Sequence, residues 1–362
     1  MSAVPRDWFV PSVIYDLQRG RTPGDLVPID RSQEPQRWAR LVGEDDAVII
    51  QVDDGHPLPD GSGQEVTSSA SQPSVVLGML DALDARQGNT VLEIGTGTGW
   101  NAALLASVIG AENVVTVEID EQLAERARTA LASAGYGAVR VLAADAARTL
   151  PDGRFDRIIA TVGVSSVPFG WITALDENGR LVVPLNNPYQ PPGVAVLTRH
   201  NDTATGSLAG PAQFMALRCE RVPRRSVTGF TPVGTHTVRT TDLHPYVLAG
   251  NRDTAVAIGQ RVSGVHRVWR PAGEDTGCLW FYAPAERSIA TLDMLHDGRL
   301  EVEQTGDRQL FDEVEAAYHW WLAQGEPTIR DWTITIRRDG QRLELREQTT
   351  APAQPLPAAK PG

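Results

Sequence analysis

Cysteine is nearly absent: Cys219 and Cys278 are the only two in 362 residues. Two thiols cannot build a disulfide framework and are too few for a thiolate zinc site, so both read as buried fillers. Long apolar runs are missing as well; none approaches the ~20 residues that cross a bilayer. The segment Met1-Ser2-Ala3-Val4-Pro5-Arg6-Asp7-Trp8 has neither the basic cluster nor the apolar stretch of a secretion signal. A soluble, cytoplasmic protein without membrane contact is expected. Positive charge is in deficit, with 33 basic against 45 acidic residues and a net charge of -12, which disfavours binding to nucleic-acid phosphates. Arg218, Arg221, Arg224 and Arg225 are a local exception, read either as a solvated strand edge or as a patch for an acidic partner. His236, His244, His266, His296 and His319 lack the i, i+4 or Cys/His spacing of a ligand set, so no metal is expected.

What is present is a globular balance, 41% hydrophobic and 22% charged, in a chain long enough for two domains. The first ~65 residues are rich in Pro, Asp and Gly and read as an irregular cap, with a short helix over Ser32 to Val42 and a strand over Ala47 to Val52. From Ser74 the pattern changes. Val75, Val76, Met79, Leu80 and Leu83 recur at helical spacing, and short apolar runs then alternate with helical ones. Strands are predicted at Thr90–Ile94, Asn113–Glu118, Val139–Leu142, Phe155–Ala160 and Gly179–Leu185, with helices at Trp100–Ile109 and Glu121–Ala134. Such alternation implies right-handed crossovers and a mostly parallel sheet, an α/β fold. Beyond Pro223 the rhythm stops, leaving one clear helix over Gln309 to Gln324 and strands at Trp332–Ile336 and Leu343–Leu345. The expected division is a cap and substrate-binding segment (1–73), an α/β core (74–234), a separate α+β domain (235–348) and a disordered tail (349–362). Trp269, Trp280, Phe281, Tyr282, Trp320, Trp321 and Trp332 read as the core of that third unit, the alternative being a peptide-binding groove.

The turn after the first core strand carries the chemistry. Glycines at 95, 97 and 99 give G-x-G-x-G, not the G-x-G-x-x-G of dinucleotide enzymes. Glu93, two residues ahead, suits a cationic ligand better than a pyrophosphate. Glu118 closes the second strand, where a carboxylate can accept from both ribose hydroxyls. Asp145 follows the third strand, where an adenine amino group would be met. Three such positions on consecutive strand ends point to S-adenosylmethionine in a Rossmann-like methyltransferase core with a mostly parallel twisted sheet.

Val91-Leu92-Glu93-Ile94-Gly95-Thr96-Gly97-Thr98-Gly99-Trp100, with Val117-Glu118-Ile119-Asp120 and Phe155-Asp156-Arg157-Ile158-Ile159-Ala160-Thr161, resembles the protein-L-isoaspartate O-methyltransferases. The likeness extends to Val4–Pro11, to Ser69-Ala70-Ser71-Gln72-Pro73 and to Leu181–Leu185, covering roughly residues 4 to 225. It implies a cofactor set of Glu93, Gly95, Thr96, Gly97, Gly99, Glu118, Ile119, Asp145, Ala146 and Thr161. It also implies that Ser71, with Ser69 where the family's threonine usually stands, meets the substrate carboxylate. Ser71-Gln72-Pro73 has a second reading as a helix N-cap. Ala144-Asp145-Ala146 departs from the family's usual Gly-Asp-Gly but keeps the carboxylate.

The chain beyond 235 exceeds the compact repair enzymes and resembles extended actinobacterial methyltransferases encoded with graspetide or lanthipeptide machinery. That resemblance implies methylation of one aspartate in a ribosomally made, cyclised precursor peptide, the ester collapsing to aspartimide and then isoaspartate. Repair of L-isoaspartyl protein is the alternative. A silent S-adenosylmethionine-binding peptide escort is a third reading, disfavoured by the intact run from Gly95 through Glu118 to Asp145.

Overall fold

The computed structural model describes residues 4–17, 26–222, 229–271, 277–295 and 297–346. Arg224, Arg225, His296 and the tail at 349–362 lie outside them. The N-terminal segment is more regular than its composition predicts. β1 (Val13–Leu17), β2 (Leu26–Asp30), β3 (Val48–Val52) and β4 (Val66–Ala70) form an antiparallel sheet in the order β2-β1-β3-β4. α1 (Pro35–Gly43) packs Trp38 and Val42 against Ile14, Ile29 and Ile50. Those apolar residues sit on strands of five residues, too short for a periodic signal to stand out.

The core follows its alternating pattern. β5 (Val91–Ile94), β6 (Val114–Glu118), β7 (Arg140–Ala143), β8 (Phe155–Ala160) and β9 (Leu175–Leu185) are parallel to their neighbours, while β10 (Gly193–His200) and β11 (Thr203–Leu208) return antiparallel. The chain runs outward from β5 through β6 to β7, then crosses to β8 on the other side. The crevice at the carboxyl ends of β5 and β8 is therefore the switch point where open α/β sheets bind ligands.

α2 (Pro73–Leu83), α3 (Trp100–Ile109) and α4 (Glu121–Ser133) cover the sheet. α4 buries Leu123, Ala124, Ala127 and Leu131 at helical spacing, and its N-cap Asp120 accepts from the amides of Gln122 and Leu123. α3 is apolar on nearly all sides and buried accordingly. The side chain of Ser71 does not cap α2; Asp45 does, its Oδ1 accepting from Ser74 N at 2.8 Å. α5 (Phe169–Thr173) buries Trp171, whose Nε1 donates to the Ala146 carbonyl.

The expected boundary at 235–348 is corrected by the sheet order. β12 (Thr235–Thr241), β13 (His266–Pro271), β14 (Gly277–Ala283), β15 (Ser288–Met294) and β16 (Leu300–Gly306) make a separate antiparallel sheet, ordered β12-β16-β15-β14-β13. β17 (Trp332–Arg337) and β18 (Gly340–Leu345) instead extend the central sheet through β11, giving β18-β17-β11-β10-β9-β8-β5-β6-β7. An alternating strand announces one buried face but not which sheet receives it.

The second sheet packs on α6 (Pro245–Ala249), α7 (Arg252–Gly259) and α8 (Leu310–Ala323), with Phe281, Leu292 and Val302 against Phe311 and Val314. The aromatic residues divide: Phe281 and Tyr282 are buried in this unit, Trp321 and Trp332 are buried in the central one, and Trp269 is 41% exposed. Tyr189, from the β9–β10 connection, stacks on Phe281 at 6.1 Å and ties the units together. The cysteines are not buried fillers; Cys219 is exposed and Cys278 half-buried, both as free thiols. Among the described residues no helix is long and apolar enough to cross a membrane, and no three metal-ligating side chains come together.

Candidate active site

A cleft of about 880 Å³ opens at the β5/β8 switch point. Its floor is the glycine turn, its side walls are the ends of β6 and β7, and its roof is β4 with the segment 215–221. Of the residues expected for a cofactor, Gly95, Thr96, Gly97, Glu118, Ile119, Asp145, Ala146 and Thr161 line it. Glu118 is its built-in acceptor. Oε2 takes the Gly97 amide at 2.9 Å and Oε1 the Asp120 amide at 3.2 Å, leaving lone pairs on both oxygens. Burial pushes the Glu118 carboxyl above its ordinary range, against the pull of those amides. Asn101 Oδ1 is buried with no partner among the described residues, and its side chain borders the same cleft.

Two expected cofactor residues lie elsewhere. Glu93 is fully buried beneath the turn, with Oε1 on Asn101 Nδ2 and Oε2 on the Thr116 hydroxyl, each at 2.6 Å. Thr116 continues to Thr96 Oγ1 at 2.7 Å, so Glu93 holds the loop's underside and does not line the cleft. Gly99 begins α3 at φ +85, where a Cβ would press on Leu131 and Ala127 at 3.3–3.4 Å; it is the helix-packing glycine of the turn.

Ser69 and Ser71, the expected substrate residues, stand at the end of β4 and line this cleft together with a second, larger groove of about 1960 Å³. Arg6 fixes their position. Its Nη2 donates to the carbonyls of Asp46 (2.8 Å), Ala70 (2.8 Å) and Ser71 (3.0 Å), and Nη1 to those of Val42 and Glu44 (both 3.3 Å). Breaking a buried, hydrogen-bonded charge costs about 3 kcal/mol or more. Arg6→Met is therefore expected to lose about that stability in urea denaturation and to slow methyl transfer, because the Ser71 carbonyl loses its tether.

The roof was not foreseen. Arg218 and Arg221 line the cleft, and both reach Asp54 Oδ1, at 3.1 and 2.7 Å. Arg221 also donates to the Thr67 carbonyl, and Arg218 approaches Asp120, which Gln51 holds from the other side. This part of the basic run is a strap pinning 215–221 onto the N-terminal layer, not a solvated strand edge. The clustered arginines were visible as a motif; the layer they meet is ~160 residues away in sequence and carries no local signal.

The sequence profile of the protein-L-isoaspartate(D-aspartate) O-methyltransferases (PCMT) matches residues 26–217. The chain belongs to this family. The isoaspartate methyltransferase of Methanocella arvoryzae is 43% identical over 136 residues, covering 37% of this chain and 70% of the relative. That of Gloeobacter violaceus is 37% identical over 188 residues, covering 52% and 84%. A solved protein-L-isoaspartate O-methyltransferase shares the fold with a TM-score of 0.50 at 19% identity, over 94% of this chain and 92% of the other. The protein is thus an S-adenosylmethionine-dependent carboxyl O-methyltransferase with a Rossmann-like core, and the silent-escort reading is set aside. The fold match covers 94% of this chain and so extends into the C-terminal unit.

The lining fits the cofactor. Glu118, Asp145 and Asn101 Oδ1 offer acceptors for a ligand rich in donors and carrying positive charge, and Gly95 and Gly97 leave bare backbone for close approach.

Proposed function

We propose that this enzyme methylates the free α-carboxylate of L-isoaspartyl residues in peptides and proteins. The observation that carries this reading is the meeting of the two cavities. Ser69, Ser71, Thr161 and Met215 line both, so a carboxylate entering along the groove arrives at the cofactor. In this reading Glu118 accepts from the ribose, Asp145 from the adenine amino group and Asn101 Oδ1 from the ammonium.

S-adenosylmethionine supplies an electrophilic methyl group on a sulfonium. None of the four shared residues is a base, and none is needed, because a carboxylate of pKa ~4 is ionised at pH 7. The chain's task is to hold one carboxylate oxygen with the hydroxyls of Ser69 and Ser71, leave the other free in line, and exclude water. A hydrogen bond from a hydroxyl to a carboxylate is worth about 1.5 kcal/mol or more. Ser71→Ala is accordingly expected to lower kcat/KM by roughly tenfold without abolishing turnover, as read by transfer of labelled methyl.

A second reading, methylation of one aspartate side chain in a ribosomally made cyclised peptide with collapse to aspartimide, draws support from Arg252. This residue completes the groove from beyond the family match. Peptides identical except for L-aspartate or L-isoaspartate at one site separate the two. Gain of one methylene mass on the isoaspartyl peptide alone supports repair. Gain on a cyclised aspartyl peptide, followed by loss of methanol, supports maturation and overturns the first reading.

A further inference from the structure

The large groove is apolar along most of its length, with Val75, Gly78, Met79, Val194, Pro211 and Phe214 among its walls. Among the described residues that line it, only Asp46 and Arg252 are charged. The backbone of Asp46 adjoins the methyl-transfer junction, since Arg6 Nη2 joins the Asp46 and Ser71 carbonyls, and its carboxylate accepts from the Ala47 amide and acts on the Arg6 charge. Arg252, at the start of α7, stands where the groove is bounded by the β9–β10 connection.

Arg252 is held in place but not neutralised. Nη2 donates to the carbonyls of Pro192 at 2.8 Å and Pro191 at 3.5 Å. Its neighbour Asp253 accepts from the Ile329 amide at 2.9 Å and favours the Arg252 charge without forming a close pair. Among the described residues no carboxylate pairs with the Arg252 guanidinium, although it is half-buried and burial lowers its proton affinity. A half-buried cation anchored by one nitrogen, with its other donors uncommitted at a groove wall, can take an anionic partner. It is also a local positive site in a protein of net charge -12.

We propose that Arg252 is a specificity-determining residue that binds an acidic side chain on one flank of the methyl-accepting residue. The proposal rests on the peptide-methylating reading above. It gives the groove a direction: Arg252 attracts acidic groups at one end of it, so an acid helps on one flank only.

The test uses isoaspartyl peptides of neutral sequence into which a single glutamate, or glutamine as its control, is walked along both flanks. Methylation is measured with the full chain, and peptide affinity by fluorescence anisotropy in the presence of S-adenosylhomocysteine. One charge-assisted pair predicts about a tenfold advantage of glutamate over glutamine on one flank, expressed in KM. That advantage disappears in Arg252→Gln and is retained in Arg252→Lys, which keeps the charge and guards against a folding artefact. No flank preference, or one that survives Arg252→Gln, overturns the proposal. If no peptide is methylated, the proposed function fails. A glutamate-dependent affinity lost in Arg252→Gln then still upholds the subsite, and equal affinities refute it.

Discussion

Gly95→Ala is expected to weaken S-adenosylmethionine binding at least a hundredfold. Gly95 has φ +97, a conformation that L side chains rarely adopt, and it lies directly after β5 at the switch point. A Cβ there would stand 2.8 Å from Thr161 Oγ1 and 2.9 Å from Val162 Cγ1. Thr161 cannot swing aside without loss, because its hydroxyl donates to the Gly95 carbonyl and thereby joins the β5 and β8 ends. The turn must move, and Gly97 moves with it, taking its amide off Glu118. Backbone strain of about 1–3 kcal/mol adds to the loss of the Glu118 contact, and a hundredfold is about 2.7 kcal/mol. Gly88→Ala is the matched control: φ is +92, but nothing lies within 4 Å of a new Cβ. Isothermal titration should find cofactor affinity retained there and lost in Gly95→Ala; equal affinities in the two variants would sink the argument.

The second large effect concerns stability. Burial pushes the Glu93 carboxyl from 4.5 up to about 7, with Thr116 and Asn101 pulling back and Glu118 adding to the rise. Below pH 4.5 the group is protonated in folded and unfolded chains alike and costs nothing. Between pH 4.5 and about 7 the unfolded chain releases the proton while the folded chain keeps it, so stability falls as pH rises. At about 1.4 kcal/mol per pH unit, the penalty above pH 7 is about 3 kcal/mol. Glu93→Gln has nearly the same shape and its amide oxygen accepts one of the two hydrogen bonds, but it carries no ionisation. Urea denaturation should find variant and wild type similar near pH 4.5 and the variant more stable at pH 8, by up to about 3 kcal/mol. A difference that does not change with pH would contradict the assignment.

The parts that were legible and those that were not differ in range. β8 and α3 coincide with their predicted bounds, and α4, β5 and β9 differ at their ends, because each is a continuous apolar or periodic run in a buried layer. β1 to β4 are not legible as a sheet, their five-residue strands being separated by stretches rich in Pro, Asp and Gly. Glu118 and Asp145 follow strands that the alternation places, whereas Ser69 and Ser71 come from the resemblance alone, since β4 carries no such signal. Glu93 is absent from the cleft lining for a related reason. Its position fits a loop carboxylate, but strand alternation turns its side chain under the sheet toward Thr116, and only packing reveals that direction. Arg218 and Arg221 were seen as charge without a location.

By itself, the sequence determined the α/β core, the glycine turn and the order of the carboxylates along it, since periodicity and turn chemistry act over a few residues. Tertiary structure decided the rest. It set Glu93 beneath the turn and Glu118 in the cleft, strapped Arg218 and Arg221 to Asp54, sent β17 and β18 to the central sheet, and brought Arg252 to the groove that begins at Ser71. Each of these is a contact between distant segments, chosen by which surfaces bury one another and not by the residues on either side.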